Sequence, residues 1–176
     1  WDVLPFSPNA CVREATRDQL RKTLTVAGTI GAETVTTHVI PRLGYAFEEI
    51  RADVVALYRE LGDVAAAAEV TLTIETGHPA VGANVDVGHL RGLLTEAERE
   101  PEALAHAYSR LLARHVESLG DRVYHVHLHD VRPEGVRDHR EAGTGIIDYE
   151  ALFRMLAARE YRGLLCFELE EPEPVE

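Results

Sequence analysis

Lysine, cysteine and long apolar runs are scarce in this chain of 176 residues. The two cysteines, Cys11 and Cys166, lie far apart and show neither disulfide nor metal-binding spacing, which is typical of proteins in a reducing compartment. No apolar run reaches the roughly 18 residues that a transmembrane helix needs. No basic stretch is followed by an apolar one, as a signal peptide requires. We therefore expect a cytoplasmic protein without a membrane span.

Positive charge is also scarce, because Lys22 is the only lysine and the net charge is −12. An acidic chain repels nucleic acid and anionic lipid unless a local basic patch intervenes, and the linear sequence shows no such patch. With 45% hydrophobic residues, the chain is long enough for one domain with a core. We expect a single domain over residues 1–171, an acidic tail over residues 172–176, and neither nucleic acid nor membrane as a partner.

Short runs of β-branched residues alternate with longer segments of helical periodicity. This alternation, with little sign of hairpins, predicts parallel βα units. The strand that contains the histidines is expected to end in a polar loop. The predicted strands span residues 33–39, 70–75, 82–87, 122–130 and 163–170, and the predicted helices span residues 13–30, 47–61, 101–119 and 148–159.

The stretch YHVHLHD, residues 124–130, alternates histidine with apolar residues. In a strand, His125, His127 and His129 would project from one face while Val126 and Leu128 face the other. Such a row is either the water-facing side of the strand or one wall of a metal or catalytic site.

Polar residues recur at the carboxyl ends of the predicted strands, where parallel α/β folds bind their ligands. Isolated buried carboxylates are costly, so a cluster of them implies a cation or shared protons. Two or three carboxylates with one imidazole suit Mn²⁺, Co²⁺ or Mg²⁺, and Zn²⁺ is also compatible. Separate helix caps and surface ion pairs are the alternative. The residues at these ends are His38, Glu75, Asp86 with His89, the histidine row with Asp130, and Glu168.

Five stretches, taken in order, resemble motifs of the xylose isomerase-like TIM-barrel superfamily, over about residues 13–171. This group contains sugar isomerases and epimerases, inosose dehydratase-like enzymes and apurinic endonucleases. The resemblance implies an α/β fold, a TIM (β/α) barrel. The stretches are TIET, NVDVGHL, YHVHLHD, GTGIIDYEALFRML and YRGLLCFELEE.

The implied barrel is incomplete in this chain. A complete one takes roughly 250 residues, so we expect the first strands to be absent here. Glu75 and Asp86 are also too close in sequence for the crossover that joins parallel strands. One crossover helix is therefore expected to be absent as well. Open apolar edges would favour association into a homo-oligomer.

The resemblance implies a metal-dependent sugar isomerase or epimerase, with one divalent ion held by Glu75, Asp86, His127 and Glu168. Glu75 and Glu168 would also be the catalytic pair that moves a proton next to a metal-polarised carbonyl. The substrate would be a small carbohydrate, a sugar phosphate or an inositol-type compound, and a dehydratase reaction is compatible with the same residues. The resemblance and the loop position imply substrate contacts from His38, His89, Arg132 and Arg137, and supporting roles for His125, His129 and Asp130.

Two other functions stay open. Apurinic endonucleases bind three zinc ions, and His38, His89 and His139 fall where some of their ligands lie. Arg137, however, stands where that pattern has an aspartate, and its positive charge disfavours a further zinc ion. The other alternative is a catalytically inactive or binding-only relative of the fold.

Overall fold

The computed structural model describes residues 4–38, 47–75 and 82–170. The chain folds into two compact units, Trp1–Gly82 and Ala83–Glu176. The predicted acidic tail and the short connection after Glu75 lie outside the described residues.

The first unit contains two parallel strands and two helices. Strands β1 and β2 pair in parallel, with Thr34 opposite Thr71. Helix α1 begins after Asn9, whose side chain accepts hydrogen bonds from the backbone N–H groups of Cys11 and Val12. The elements are α1 (Ala10–Thr29), β1 (Thr34–Thr37), α2 (Phe47–Ala67) and β2 (Thr71–Glu75).

The core of the first unit lies between α2 and β2. One face of α2 buries Val54, Leu57 and Leu61, at the helical spacing seen in the sequence, against Leu72 and Ile74 of β2. This packing places Glu75, the last residue of β2, at the carboxyl end of a buried strand.

The second unit contains three parallel strands, in the order β3, β4, β7. The register sets Asp86 of β3 opposite His127 of β4, so two predicted ligands lie side by side near the carboxyl ends of neighbouring strands. The elements are β3 (Gly82–Asp86), α3 (Pro101–Leu119), β4 (Val123–Leu128), β5 (Asp130–Arg132), β6 (Arg137–Arg140), α4 (Tyr149–Ala158) and β7 (Leu164–Phe167).

The strand predicted over residues 122–130 is found but ends two residues early, and the polar loop predicted after it is wrong. Strand β4 ends at Leu128, and the expected loop is an antiparallel hairpin of β5 and β6. Asp130 starts the hairpin, and Gly135 turns it with a φ of 72°. Strands β5 and β6 are short and mostly polar, so they lack the apolar alternation that predicts a strand from sequence.

Strand β7 forms an uncovered edge within the described part of the second unit. Leu164, Leu165 and Phe167 are 45%, 47% and 61% exposed. Such apolar exposure is what we expected of an incomplete barrel, and the association of copies stays a prediction. None of the helices in the described ranges combines the length and apolar character needed to cross a bilayer.

The lack of a side chain at Gly28 allows α1 to approach the end of α2 closely. A Cβ on Gly28 would lie 2.3 Å from the carbonyl oxygen of Ala68, whereas one on Gly62, inside α2, would meet nothing within 4 Å. We expect Gly28→Ala to lower the free energy of unfolding by about 1–3 kcal/mol through overpacking. Gly62→Ala should raise it by about 0.5–1 kcal/mol through helix propensity. Urea denaturation followed by circular dichroism measures both, and equal stability of the two variants would contradict the packing.

Candidate metal centre

Asp86 is the organising residue of the site in the second unit. Its Oδ1 accepts hydrogen bonds from the backbone N–H groups of Gly88 and His89, each at 2.9 Å, and lies 2.9 Å from Nε2 of His129. Its Oδ2 lies 3.5 Å from Nδ1 of His127 and 3.7 Å from Nδ1 of His89. This buried Oδ2 accepts no hydrogen bond from the described residues. Asp86 therefore offers one oxygen that is saturated and one that is available to a ligand.

The tautomer of His129 follows from its hydrogen bonds. Its Nδ1 accepts from the backbone N–H of His139 at 2.9 Å, so Nδ1 carries no proton. The proton of the neutral ring is then on Nε2, which donates to Oδ1 of Asp86. His129 is fully buried. It orients Asp86 and is not itself presented to a ligand.

Gly88 leaves the space that His129 occupies. A Cβ at this position would lie 2.1 Å from Cε1 of His129 and 2.9 Å from Cβ of Asp138. The buried hydroxyl of Tyr108 donates to the Gly88 carbonyl at 2.5 Å and fixes the turn from the other side. Only glycine allows the turn after β3 to lie this close to the histidine.

His127 and Glu168 complete a group of three potential ligands. Nδ1 of His127 lies 2.7 Å from Oε2 of Glu168, and the ligand atoms of Asp86, His127 and Glu168 are within 4.8 Å of one another. Glu168 follows β7, where its backbone N–H donates to the carbonyl of Leu128 at 3.1 Å. Two carboxylates and one imidazole around an unsatisfied buried oxygen suit a divalent cation with oxygen and nitrogen ligands.

The electrostatics of Asp86 favour its charged form. Burial alone would raise the pKa of Asp86, but the surrounding imidazoles of His127, His129 and His89 lower the pKa well below its usual range. Asp86 is therefore ionised at neutral pH and can bind a cation.

A second group of polar side chains lies beside the first. Ligand atoms of Asp86, His89 and His139 are within 4.8 Å of one another. Asp138 is buried, with Oδ1 3.3 Å from Nδ1 of His139 and Oδ2 4.0 Å from Nε2 of His89. An ion pair with Arg91 holds it. Burial would raise the pKa of Asp138, but the charge of Arg91 and a hydrogen bond from His139 lower it.

Asp138 is the candidate site residue that the sequence did not predict. The endonuclease pattern has its aspartate at position 137, but this chain has Arg137 there, and it is exposed in the structure. The neighbouring Asp138 is buried beside the histidines. His139 adopts a φ of 56°, so strict strand alternation does not hold at this point of β6. Only this local backbone conformation, invisible in the residue pattern, would have indicated Asp138.

In the first unit, the two predicted site residues are in contact. The side chain of Glu75 is 3% exposed, and its Oε2 lies 2.9 Å from Nε2 of His38. The hydroxyl of Tyr58 donates to the His38 carbonyl at 2.9 Å, and burial raises the pKa of this tyrosine. Glu75 is thus a buried carboxylate held by an imidazole at the end of β2.

The remaining predicted residues have different surroundings. His125 packs edge-on against His127, with ring centroids 4.8 Å apart. Asp130 accepts hydrogen bonds from the backbone N–H groups of Val131, Gly143 and Ile147, so its contacts fix the loop that follows β6. Arg132 and Arg137 are both exposed and face each other across the hairpin.

The sequence matches the family described as xylose isomerase-like TIM barrel over residues 4–176. The chain belongs to this family. The prediction of an incomplete TIM barrel is confirmed by this match and by solved structures of similar fold. A comparison with curated proteins finds no match.

Three solved structures show the similarity of fold. A D-tagatose 3-epimerase-like protein has 21% identity and a TM-score of 0.71, over 96% of this chain and 67% of its own. The 3-keto-D-glucoside 4-epimerase of E. coli has 18% identity and a TM-score of 0.68, over 99% of this chain and 71% of its own. The IolI protein with a bound zinc atom has 19% identity and a TM-score of 0.66, over 94% of this chain and 64% of its own.

The close packing at Gly88 predicts how the site can be disturbed without touching a ligand. Gly88→Ala must displace His129 and so remove a donor from buried Asp86. We expect a loss of about 2–4 kcal/mol in the free energy of unfolding. Gly92→Ala is the control, because a Cβ there would meet nothing within 4 Å. Urea denaturation measures the stability of both variants.

The second measurement is the tautomer of His129, read from long-range ¹⁵N–¹H NMR spectra. The wild type and Gly92→Ala should show the proton on Nε2 of His129, and Gly88→Ala should lose this signature. A proton on Nδ1 of His129 in the wild type would contradict its assigned role as donor to Asp86.

Proposed function

We propose that the chain belongs to a divalent-metal-dependent sugar isomerase or epimerase. The observation that supports this most directly is the group of Asp86, His127 and Glu168, whose ligand atoms lie within 4.8 Å of one another around an oxygen with no hydrogen-bond donor among the described residues. Family membership and the fold shared with sugar epimerases add support. Glu75 is proposed as a further ligand, on the basis of the sequence resemblance.

Mn²⁺, Co²⁺ or Mg²⁺ is the proposed ion, and the mixed oxygen and nitrogen donors also accept Zn²⁺. When bound, the metal would polarise the carbonyl and neighbouring hydroxyl of a sugar. The reducing cytoplasm is the proposed compartment, which two unpaired, exposed cysteines support.

The proposed proton transfers use the two glutamates. The Glu168 side chain is 44% exposed while its Oε2 contacts His127, so it can reach a substrate and still be held in place. As general base it would take the proton from the carbon next to the carbonyl. Glu75, held by His38, would return a proton to that carbon or its neighbour. Epimerisation would return the proton to the same carbon from the opposite face. Isomerisation would add it to the former carbonyl carbon and would also move a proton from the neighbouring hydroxyl oxygen to the carbonyl oxygen.

An apurinic-type phosphodiester hydrolase is a second candidate, and one specific observation favours it. The buried carboxylate of Asp138 lies beside His89 and His139. It can take the place of the aspartate that the endonuclease pattern has at position 137. Two imidazoles and a carboxylate can hold a further zinc ion. The ion pair of Asp138 with Arg91 weighs against this, because the carboxylate is already neutralised.

The experiment that tests the proposal compares metal content and turnover. We expect about one Mn, Co or Zn per chain by mass spectrometry after purification without chelator. The Mn²⁺-loaded protein should interconvert ketohexose epimers or aldose and ketose isomers. Glu168→Gln should lower turnover by about 10²–10⁴-fold, because a general base is lost. Glu117→Gln, at an exposed position of α3, is the control and should keep full turnover.

Three results would overturn this assignment. Two or three zinc ions per chain with cleavage of abasic DNA would support the hydrolase. A bound metal with no turnover of any ketose, aldose or inosose would support a binding-only relative. Full turnover in Glu168→Gln would remove this residue from the proposed acid–base pair.

A further inference from the structure

Four arginines surround one open pocket in the second unit. Its volume is about 440 Å³, and Asp138 is the single acidic residue among those that line it. The arginines come from three separate segments, the turn after β3, the turn before α3 and strand β6. They are Arg91, Arg99, Arg137 and Arg140.

The concentration of positive charge is unusual for this chain, whose net charge is −12. Arg91 forms an ion pair with Asp138, and Arg140 forms one with the exposed Glu170. Arg99 donates to the Arg91 carbonyl at 3.3 Å. Guanidinium groups gathered this closely repel one another, and an anion bound between them relieves that repulsion.

Arg140 gives an independent sign of a missing partner. Its side chain is 13% exposed, and its Nε is buried with no hydrogen-bond acceptor among the described residues. Buried donors of charged groups are normally satisfied, so an unpaired one points to a ligand or an ordered solvent molecule.

The pocket adjoins the candidate metal centre. Asp138 lines the pocket and lies 3.3 Å from Nδ1 of His139, and Nε2 of His139 lies 3.8 Å from Oε2 of Glu168. One histidine therefore separates the proposed base from the arginine-lined pocket. A small molecule that reacts at Glu168 would have to pass His139 to reach the pocket.

We propose that this pocket binds an anionic group of the substrate, a phosphate ester or a carboxylate on the sugar. The inference rests on the proposed function and narrows its substrate class to acidic sugars. Guanidinium groups match the oxygen geometry of both anions with paired hydrogen bonds, and this is a larger gain than a neutral hydroxyl provides. A small anion suits the pocket better than nucleic acid does, because the basic residues of this pocket belong to an otherwise acidic chain.

The test is calorimetric titration of the full chain with inorganic phosphate, D-fructose 6-phosphate, D-gluconate and D-fructose. Each titration is run with chelator and again with Mn²⁺, so that anion binding to a metal is separated from binding to the arginines. We expect D-fructose 6-phosphate or D-gluconate to bind at least about tenfold more tightly than D-fructose. The tighter binder of these two sugars shows whether the pocket prefers a phosphate ester or a carboxylate. Inorganic phosphate should bind in the presence of chelator.

The matched variants are Arg99→Gln combined with Arg137→Gln, and Arg154→Gln on the exposed face of α4 as control. The double variant should weaken binding of the anionic sugar by about tenfold or more and leave D-fructose binding unchanged. The control should bind like the wild type, and circular dichroism should show that all three proteins fold.

Equal affinity for D-fructose and its phosphate would overturn the proposal, as would unchanged affinity in the double variant. Tighter binding of an abasic DNA duplex than of any sugar phosphate would overturn it in favour of nucleic acid. If inorganic phosphate binds in the presence of chelator but no sugar is turned over, the proposed function is disproved and the anion-binding pocket is still supported.

Discussion

The candidate site depends on the different surroundings of the two carboxylate oxygens of Asp86. Oδ1 accepts hydrogen bonds from three donors. Oδ2 lies near His127 and His89 and accepts no hydrogen bond from the described residues. A buried carboxylate with one unsatisfied oxygen is costly unless a cation or proton supplies the missing partner. The lowered pKa of Asp86 makes a cation the better partner, because the folded protein stabilises the ionised form.

The direction of that oxygen is set by residues that touch no ligand. His129 can donate to Asp86 only because the backbone of His139 occupies its other ring nitrogen. It can lie there only because Gly88 has no side chain. Residues that orient a metal ligand in this way are as much a part of a metal site as the ligands themselves. Strand β3 and the β5–β6 hairpin are thus joined through one buried imidazole.

The sequence predicts that the strand-end residues of the candidate site lie close together, because each of them belongs to a short, recognisable strand. Asp86 ends β3, His127 lies one residue before the end of β4, and Glu168 directly follows β7. The parallel arrangement brings these neighbouring strand ends together. The helix over residues 101–119 is found with the predicted bounds, since Pro101 begins it and Gly120 follows it. These features depend on short stretches whose periodicity is visible in the residues.

The hairpin and the arginine pocket could not be predicted in this way. Asp138 faces the histidines because of a left-handed residue beside it, and the arginines meet because three segments converge. The linear sequence shows no basic patch, since residues 91, 99 and 137 are separated by a helix and two strands. Convergence of distant segments is a property of the fold, and residue patterns within one segment carry no record of it.

The proposed site has two regions of opposite charge within the second unit, and this polarity constrains how a substrate binds. Asp86 and Glu168 form the negative region that suits a metal ion, and the arginine pocket forms the positive one. Asp138 lies at their border, paired with Arg91 on one side and near His139 on the other. A proposed substrate with an anion at one end and a carbonyl at the other would fit in one direction only, because reversal would place its anion against the two carboxylates. For the proposed activity, this charge distribution would select which carbon of the sugar meets Glu168, and with it the position at which the proton is moved.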